Sequence, residues 1–180
     1  MGPYREFRMR TRYAVALAVV VGFGLLGVAA PAGDAVAQQK SLKEQLVGTW
    51  TVVSATTKLA DGSLQWGSNP KGLLIFTDNG RYSSHIMRPD RPKFASNKRL
   101  QGTPDENKAA VHGTISSFGT YSVNEANKTY TIRFEGSSYP NLEGTESTRP
   151  FMITGDELRV TNLAPTAGGP PSQLVYKRAK

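Results

Sequence analysis

The 180-residue chain contains no cysteine, only two histidines, His85 and His112, and two tryptophans, Trp50 and Trp66. Without cysteine there is no disulfide framework, no thiolate metal site and no sulfur for lipid attachment, so the fold must rest on packing and sheet hydrogen bonds. Two histidines on separate segments do not supply the three or four ligands that a transition metal takes. Neither a metal nor a cofactor is therefore expected. The Gly-x-Ser-x-Gly elbow of a hydrolase nucleophile is also missing. Ser84 and His85 adjoin in an extended segment and so point to opposite faces, which rules them out as a dyad; Ser83 shares the face of His85. Sequence repeats are absent, helical patterns are few, and no long apolar run follows residue 30.

What is present begins with a leader. Arg5, Arg8, Arg10 and Arg12 precede an apolar run from Ala14 to Ala30, and Ala35-Val36-Ala37 offers the small residues a signal peptidase reads. Residues 1–37 are expected to be a secretory signal peptide and residues 38–180 a single exported domain, periplasmic or secreted. No adjacent arginine pair suggests twin-arginine export. An uncleaved anchor is the alternative, because a run of roughly 17 residues is at the lower limit for spanning a bilayer; once the leader is cleaved, no membrane span is expected. The formal charge of +8 falls to +6 when the leader's four arginines and two acids are removed, a mild basicity that favours anionic partners weakly.

The remaining chain reads as β structure. Ser41 to Val47 forms a helical turn, and a first strand runs from about Thr49 to Leu59. Residues 64–70 make a crossing loop carrying Trp66. The apolar run Gly72 to Thr77 and the strand Arg81 to Arg88 are joined by Asp78-Asn79-Gly80, a strong hairpin signal. Pro89 and Pro92 end the rhythm and start a basic loop. A helix then opens with Thr103 as N-cap, Pro104 at the first position and Glu106 three residues after the cap. Val111, Ile115 and Phe118 fall on one helical face, so this helix is expected to run on to Gly119. Further strands follow at 120–124, 129–135, 145–154, 157–161 and 173–178. In the second of these, Tyr130, Ile132 and Phe134 alternate with Arg133 and Glu135. About eight antiparallel strands with one inserted helix predict an all-β barrel, with a sandwich as the competing architecture.

Three stretches carry a resemblance: Leu46-Val47-Gly48-Thr49-Trp50; Asn69 to Thr77 continuing through Gly80-Arg81-Tyr82-Ser83 to Pro92; and Phe118 to Val123, with Gly155-Asp156-Glu157-Leu158 and Val175-Tyr176-Lys177-Arg178 beyond. Together they resemble the bacterial and fungal lipocalin-like domain family of small barrels. The resemblance implies a lipocalin- or calycin-like cup. It also implies a structural floor of Gly48, Trp50 and Arg178, with the arginine of the last strand over the tryptophan of the first. It brings no catalytic motif.

The expected function is the binding of a small, largely hydrophobic or amphipathic molecule inside the barrel. Strand parity and nearness to the mouth select Trp66, Phe76, His85, Met87, Tyr121, Phe134 and Tyr139 as ligand-binding residues, with Arg149 as an anchor for an anionic head. One alternative is a cofactor-free acid–base enzyme, an isomerase or cyclase, with His85 as its catalytic residue. Another is a structural envelope protein with a fully packed core. The basic loop from Arg88 to Arg99 holds one aromatic residue, Phe94, and export removes most nucleic acid, so no nucleic-acid partner is expected. Asn127-Lys128-Thr129 matches a glycosylation sequon but lies in a tight turn.

Overall fold

The computed structural model describes residues 40–180; the leader expected at 1–37 lies outside the described residues. The described chain begins with α1 (Leu42–Leu46) and β1 (Gly48–Ala55), followed by β2 (Lys71–Phe76) and β3 (Arg81–Met87). After α2 (Pro104–His112) come β4 (Thr114–Asn124) and β5 (Thr129–Ser137), a 3₁₀ turn (Pro140–Leu142), β6 (Glu146–Thr154), β7 (Glu157–Asn162) and β8 (Ser172–Arg178). Each strand pairs antiparallel with the next, and β8 pairs back onto β1, giving a closed eight-stranded barrel. Closure leaves no sheet edge, which is how a chain without disulfides protects its ladder.

Period-two alternation decides what faces inward. Trp50 and Val52, Leu74 and Phe76, Tyr82 and Ile86, Tyr130, Ile132 and Phe134, Leu158 and Val160, and Leu174 and Tyr176 form one buried cluster. Phe76 sits edge-on to Tyr121 and Tyr130, with ring centroids 4.8 and 5.2 Å apart. Each such ring buries on the order of 150–250 Å², a gross stabilisation of about 4–6 kcal/mol at roughly 25 cal/mol/Å². The opposite parity is solvated: Arg81 grips Glu135 with two 2.7 Å bonds, and Arg133 reaches Glu146 at 3.3 Å.

The connections sort by end. Tight turns join β2 to β3, β4 to β5 and β6 to β7, and α1 lies at the same end. The Ser41 and Glu44 capping box starts α1, and the Glu125 carboxylate of the β4–β5 turn accepts from the Leu42 and Lys43 amides at 2.9 and 3.1 Å. This end is the floor. The long connections β1–β2, β3–β4, β5–β6 and β7–β8 all open at the other end, the mouth.

The helix differs from the sequence expectation at its C-terminus. The Thr103 and Glu106 capping box and Pro104 are in place, but α2 stops at His112 with Gly113 as its cap. Thr114 to Phe118 instead extends β4 along β3. The spacing of Val111, Ile115 and Phe118 fits a helix only by coincidence. In the strand Ile115 turns inward, Phe118 turns outward over Gly136, and Val111 remains largely exposed on α2. The β-branched Thr114 and Ile115 gain more by completing the ladder than by prolonging a helix beyond a glycine.

Candidate functional site

Two cavities lie at the mouth end. The outer one, of about 730 Å³, is bounded by Leu59, Gln65 and Trp66 from the β1–β2 connection, by Arg88, Asp90, Arg91 and Pro92 after β3, and by Ala109 and residues 111–115 around the end of α2. Ser138, Tyr139, Thr166 and Ala167 complete its wall. The loop over it is fixed by its own contacts. Arg88 makes a two-pronged ion pair with Asp90 at 2.9 and 2.6 Å, and its Nη1 also donates to the Gln65 carbonyl at 3.4 Å. Arg91 donates to the Arg88 carbonyl and to Thr114 Oγ1 at 2.9 and 2.6 Å, its stem lying over Gly113. Glu106 ties the loop to α2 by accepting from the Ala95 amide at 2.8 Å. Arg88 and Arg91 are thus committed to the protein itself.

The inner cavity, of about 190 Å³, lies within the barrel between Ser84, Ile86, Ile115, Ser117, Phe134, Ser147, Arg149, Leu174 and Tyr176, with Thr57, Leu142, Asn162 and Pro165 toward the mouth. Gln65, Trp66, Ile115 and Thr166 line both spaces, so anything entering the inner space from the mouth passes them. Trp66 is 5 % exposed although it stands on a loop.

The inner cavity is polar where a packed core would be apolar. Arg149 stands opposite Tyr130 in the β5–β6 register, donates from Nε to Ser147 Oγ at 3.3 Å, and lies within hydrogen-bonding reach of the Tyr130 hydroxyl. Among the described residues no carboxylate lies within 4.0 Å of it. Glu146, at the rim, turns outward to Arg133. The buried Tyr130 hydroxyl makes no hydrogen bond of good geometry. Burial raises the pKa of Tyr130, Tyr176 and Tyr82, and the positive charge of Arg149 opposes the rise at all three. One guanidinium therefore acts on three tyrosine hydroxyls.

The sequence-selected residues separate into three groups. Trp66 lines both cavities, Tyr139 the outer one, and Phe134 and Arg149 the inner one. Phe76 and Tyr121 lie in the packed core nearer the floor, where Tyr121 donates to the Thr77 carbonyl at 2.8 Å. His85 and Met87 require correction: they occupy the outer face of β3. His85 pairs in register with Leu73 and Ser116, and its ring nitrogens meet Ser83 Oγ at 2.9 Å and Ser116 Oγ at 3.1 Å. Met87 Sδ contacts Arg91 Nη2. Tyr82 and Ile86 take the inward parity of this strand, leaving the odd-numbered residues outside. His85 lines neither of the two cavities. The floor residues assemble as the resemblance implies, with Arg178 Cζ 4.1 Å from the Trp50 ring centroid.

Sequence reasoning did not select Gln65, Ser84, Ser117 or Tyr176. Parity with Ile86, with Tyr121 and with Leu174 was the available signal, but serines on an inner face look like solvent-facing residues. Among the described residues no group of three or more His, Asp or Glu converges on a point. No helix there is long and apolar enough to cross a membrane.

The family model described as a lipocalin-like domain matches residues 47–178. A protein of Aspergillus oryzae named 4'-hydroxy-3'-methoxypropiophenone carrier protein is 32 % identical over 89 residues, covering 46 % of this chain and 80 % of that protein. Among solved structures, one titled a fatty acid transporter aligns with 11 % identity and a TM-score of 0.36, and the wild-type fluorescent protein UnaG with 18 % identity and a TM-score of 0.34. Each alignment covers 76 % of this chain and 98 % of the other.

Proposed function

The chain belongs to the lipocalin-like domain family, and from that membership we propose that it binds a small, largely hydrophobic molecule inside the barrel and carries it outside the cytoplasm. The observation that supports this reading is the pair of mouth-end cavities above a sealed floor. Drug-sized sites measure about 300–1,000 Å³, and the outer space of about 730 Å³ falls in that range. A structural barrel has no use for such an opening, because cavity lining forfeits packing energy. The similarity to a protein named as a carrier of a hydroxy-methoxy aromatic ketone supports an aromatic or amphipathic cargo. Export rests on the basic and apolar leader ending at Ala35-Val36-Ala37.

Thermal unfolding of the purified protein against fatty acids, terpenoids, haem and aromatic ketones and acids tests the binding reading. A ligand at 100 times its Kd should add about 2.7 kcal/mol of stability. Stabilisation by none of them overturns the reading. Mass spectrometry of the protein recovered from the cell envelope or medium tests export; the expected N-terminus is Gln38.

A further inference from the structure

The inner cavity carries the small-molecule reading one step further, to the chemistry of the ligand's head; this step rests on that reading. Its volume of about 190 Å³ is below the size of a drug-like site and equals roughly six water volumes of about 30 Å³ each. It can take a head group and not a whole ligand. Its walls supply donors: the Arg149 guanidinium, the Tyr176 hydroxyl, and the hydroxyls of Ser84, Ser117 and Ser147. Glu146 is the one carboxylate among the lining residues, and its Oε1 pairs with Arg133 Nη1 at 3.3 Å on the outer side of the sheet.

Arg149 has five N–H donors, and among the described residues it meets only neutral groups, Ser147 Oγ at 3.3 Å and the Tyr130 hydroxyl. A half-buried cation with so few partners is unusual, because burying charge is unfavourable unless it is paired and hydrogen-bonded. Directly across from it, the fully buried Tyr130 hydroxyl lies within reach of the same guanidinium and makes no hydrogen bond of good geometry. Native proteins rarely leave buried polar groups unsatisfied. An incoming oxyanion would supply the missing acceptor for Arg149. Two parallel N–H···O bonds are the geometry that arginine offers to a planar anion.

We infer that the inner cavity receives a compact, singly charged oxyanion, held by the Arg149 guanidinium and the Tyr176 hydroxyl, while the apolar body of the same molecule lies past Trp66 in the outer cavity. The ligand is bipartite because the site is bipartite. Gln65, Trp66, Ile115 and Thr166, which face both spaces, encircle the junction between head and body. A carboxylate and a phenolate share the required chemistry.

Titration calorimetry on the intact protein separates the possibilities. Decanoate probes the carboxylate, 4-nitrophenol probes the phenolate through the yellow colour of its anion, and decanol is the neutral control. A charge-assisted contact of about 1.5–3 kcal/mol corresponds to a preference for decanoate over decanol of roughly tenfold to 150-fold. Arg149→Met should abolish that preference while leaving decanol binding in place, which also shows that the variant folds. Tyr176→Phe should reduce the preference by several-fold. If the source is a phenolate, 4-nitrophenol binds in its yellow form below its solution pKa, and Arg149→Met removes the shift. Equal affinity for decanoate and decanol, with no colour shift and no effect of Arg149→Met, overturns the oxyanion inference and leaves the binding reading intact. Binding of none of the three probes, or of any other member of the ligand panel, overturns both.

Discussion

Arg178 lies over Trp50 with its Cζ 4.1 Å from the ring centroid, and the same guanidinium donates to the Gln45 and Val47 carbonyls at 2.7 and 3.0 Å. The last strand is thereby fastened to the first and to the end of α1. Trp50 adds its own bond, from Nε1 to the Leu46 carbonyl at 2.8 Å. Gly48 belongs to the same lock: its φ is +131°, and a Cβ there would meet Arg178 Nη1 at 2.8 Å.

Loss of this lock is expected to lower stability and to spare binding. Arg178→Met forfeits a cation–π contact of about 0.5–2 kcal/mol and charged hydrogen bonds of about 1.5–3 kcal/mol. The expected change is about 2–4 kcal/mol in urea unfolding. Affinity for a barrel ligand should stay within a factor of about two, because the floor is remote from both cavities. A tenfold loss of affinity in the folded variant would place the floor within the binding site.

Gly119 permits a bulge in β5, where Glu135 is the extra residue. The β4–β5 register slips between Phe118 and Gly119, and a Cβ at Gly119 would overlap the Arg133 carbonyl oxygen of the neighbouring strand. Backbone cannot retreat as a flexible side chain can. Gly119→Ala is therefore expected to destabilise by about 2–4 kcal/mol, in the range of buried steric conflicts. Gly144→Ala serves as a control, since its added Cβ meets no atom within 4 Å; its expected loss is smaller and arises from positive φ alone. Equal losses in the two variants would mean that the bulge opposite Gly119 does not depend on the missing side chain.

His85→Ala tests the outer-face placement. The ring bridges Ser83 and Ser116 on the outside of the sheet, and such hydrogen bonds contribute about 0.5–1.5 kcal/mol each. A stability loss of about 1 kcal/mol is expected, with no change in ligand affinity. Loss of binding in a folded His85→Ala protein would contradict the observed parity of β3.

The barrel was legible because its core obeys a two-residue period. Tyr130, Ile132 and Phe134 alternate cleanly, and Asn79-Gly80 marks a hairpin. The floor followed from Gly48, Trp50 and Arg178. The site was harder to read for a physical reason. The inner cavity is lined partly by Ser84, Ser117, Ser147 and Arg149, residue types that in isolation suggest a wet surface. In β3 the inward Ser84 stands between the polar Ser83 and His85, which hides the parity set by Tyr82 and Ile86 and makes His85 look like a mouth residue. The two inward anchors Tyr82 and Ile86, four positions apart, settle it once the strand is paired. The end of α2 was hidden by a different ambiguity: a three-residue pattern fits two periods, and pairing with β3 decides between them.

Four tyrosines give the fold an alkaline limit. Burial is the main cause that raises the pKa of Tyr82, Tyr121, Tyr130 and Tyr176 in the folded protein, whereas an unfolded tyrosine ionises near 10. Above that pH the unfolded chain releases these protons and the folded chain retains them. The unfolded state then binds fewer protons, so stability falls as pH rises. The effect is absent below about pH 9 and grows by about 1.4 kcal/mol per pH unit for each fully protected hydroxyl. Alkaline titration followed by tyrosinate absorbance and circular dichroism is expected to show these tyrosines ionising together with the loss of β signal. Filling the inner cavity should delay that step, since a bound ligand further protects Tyr176. Ionisation of all the tyrosines near pH 10 with the β signal intact would show that solvent reaches the barrel interior freely.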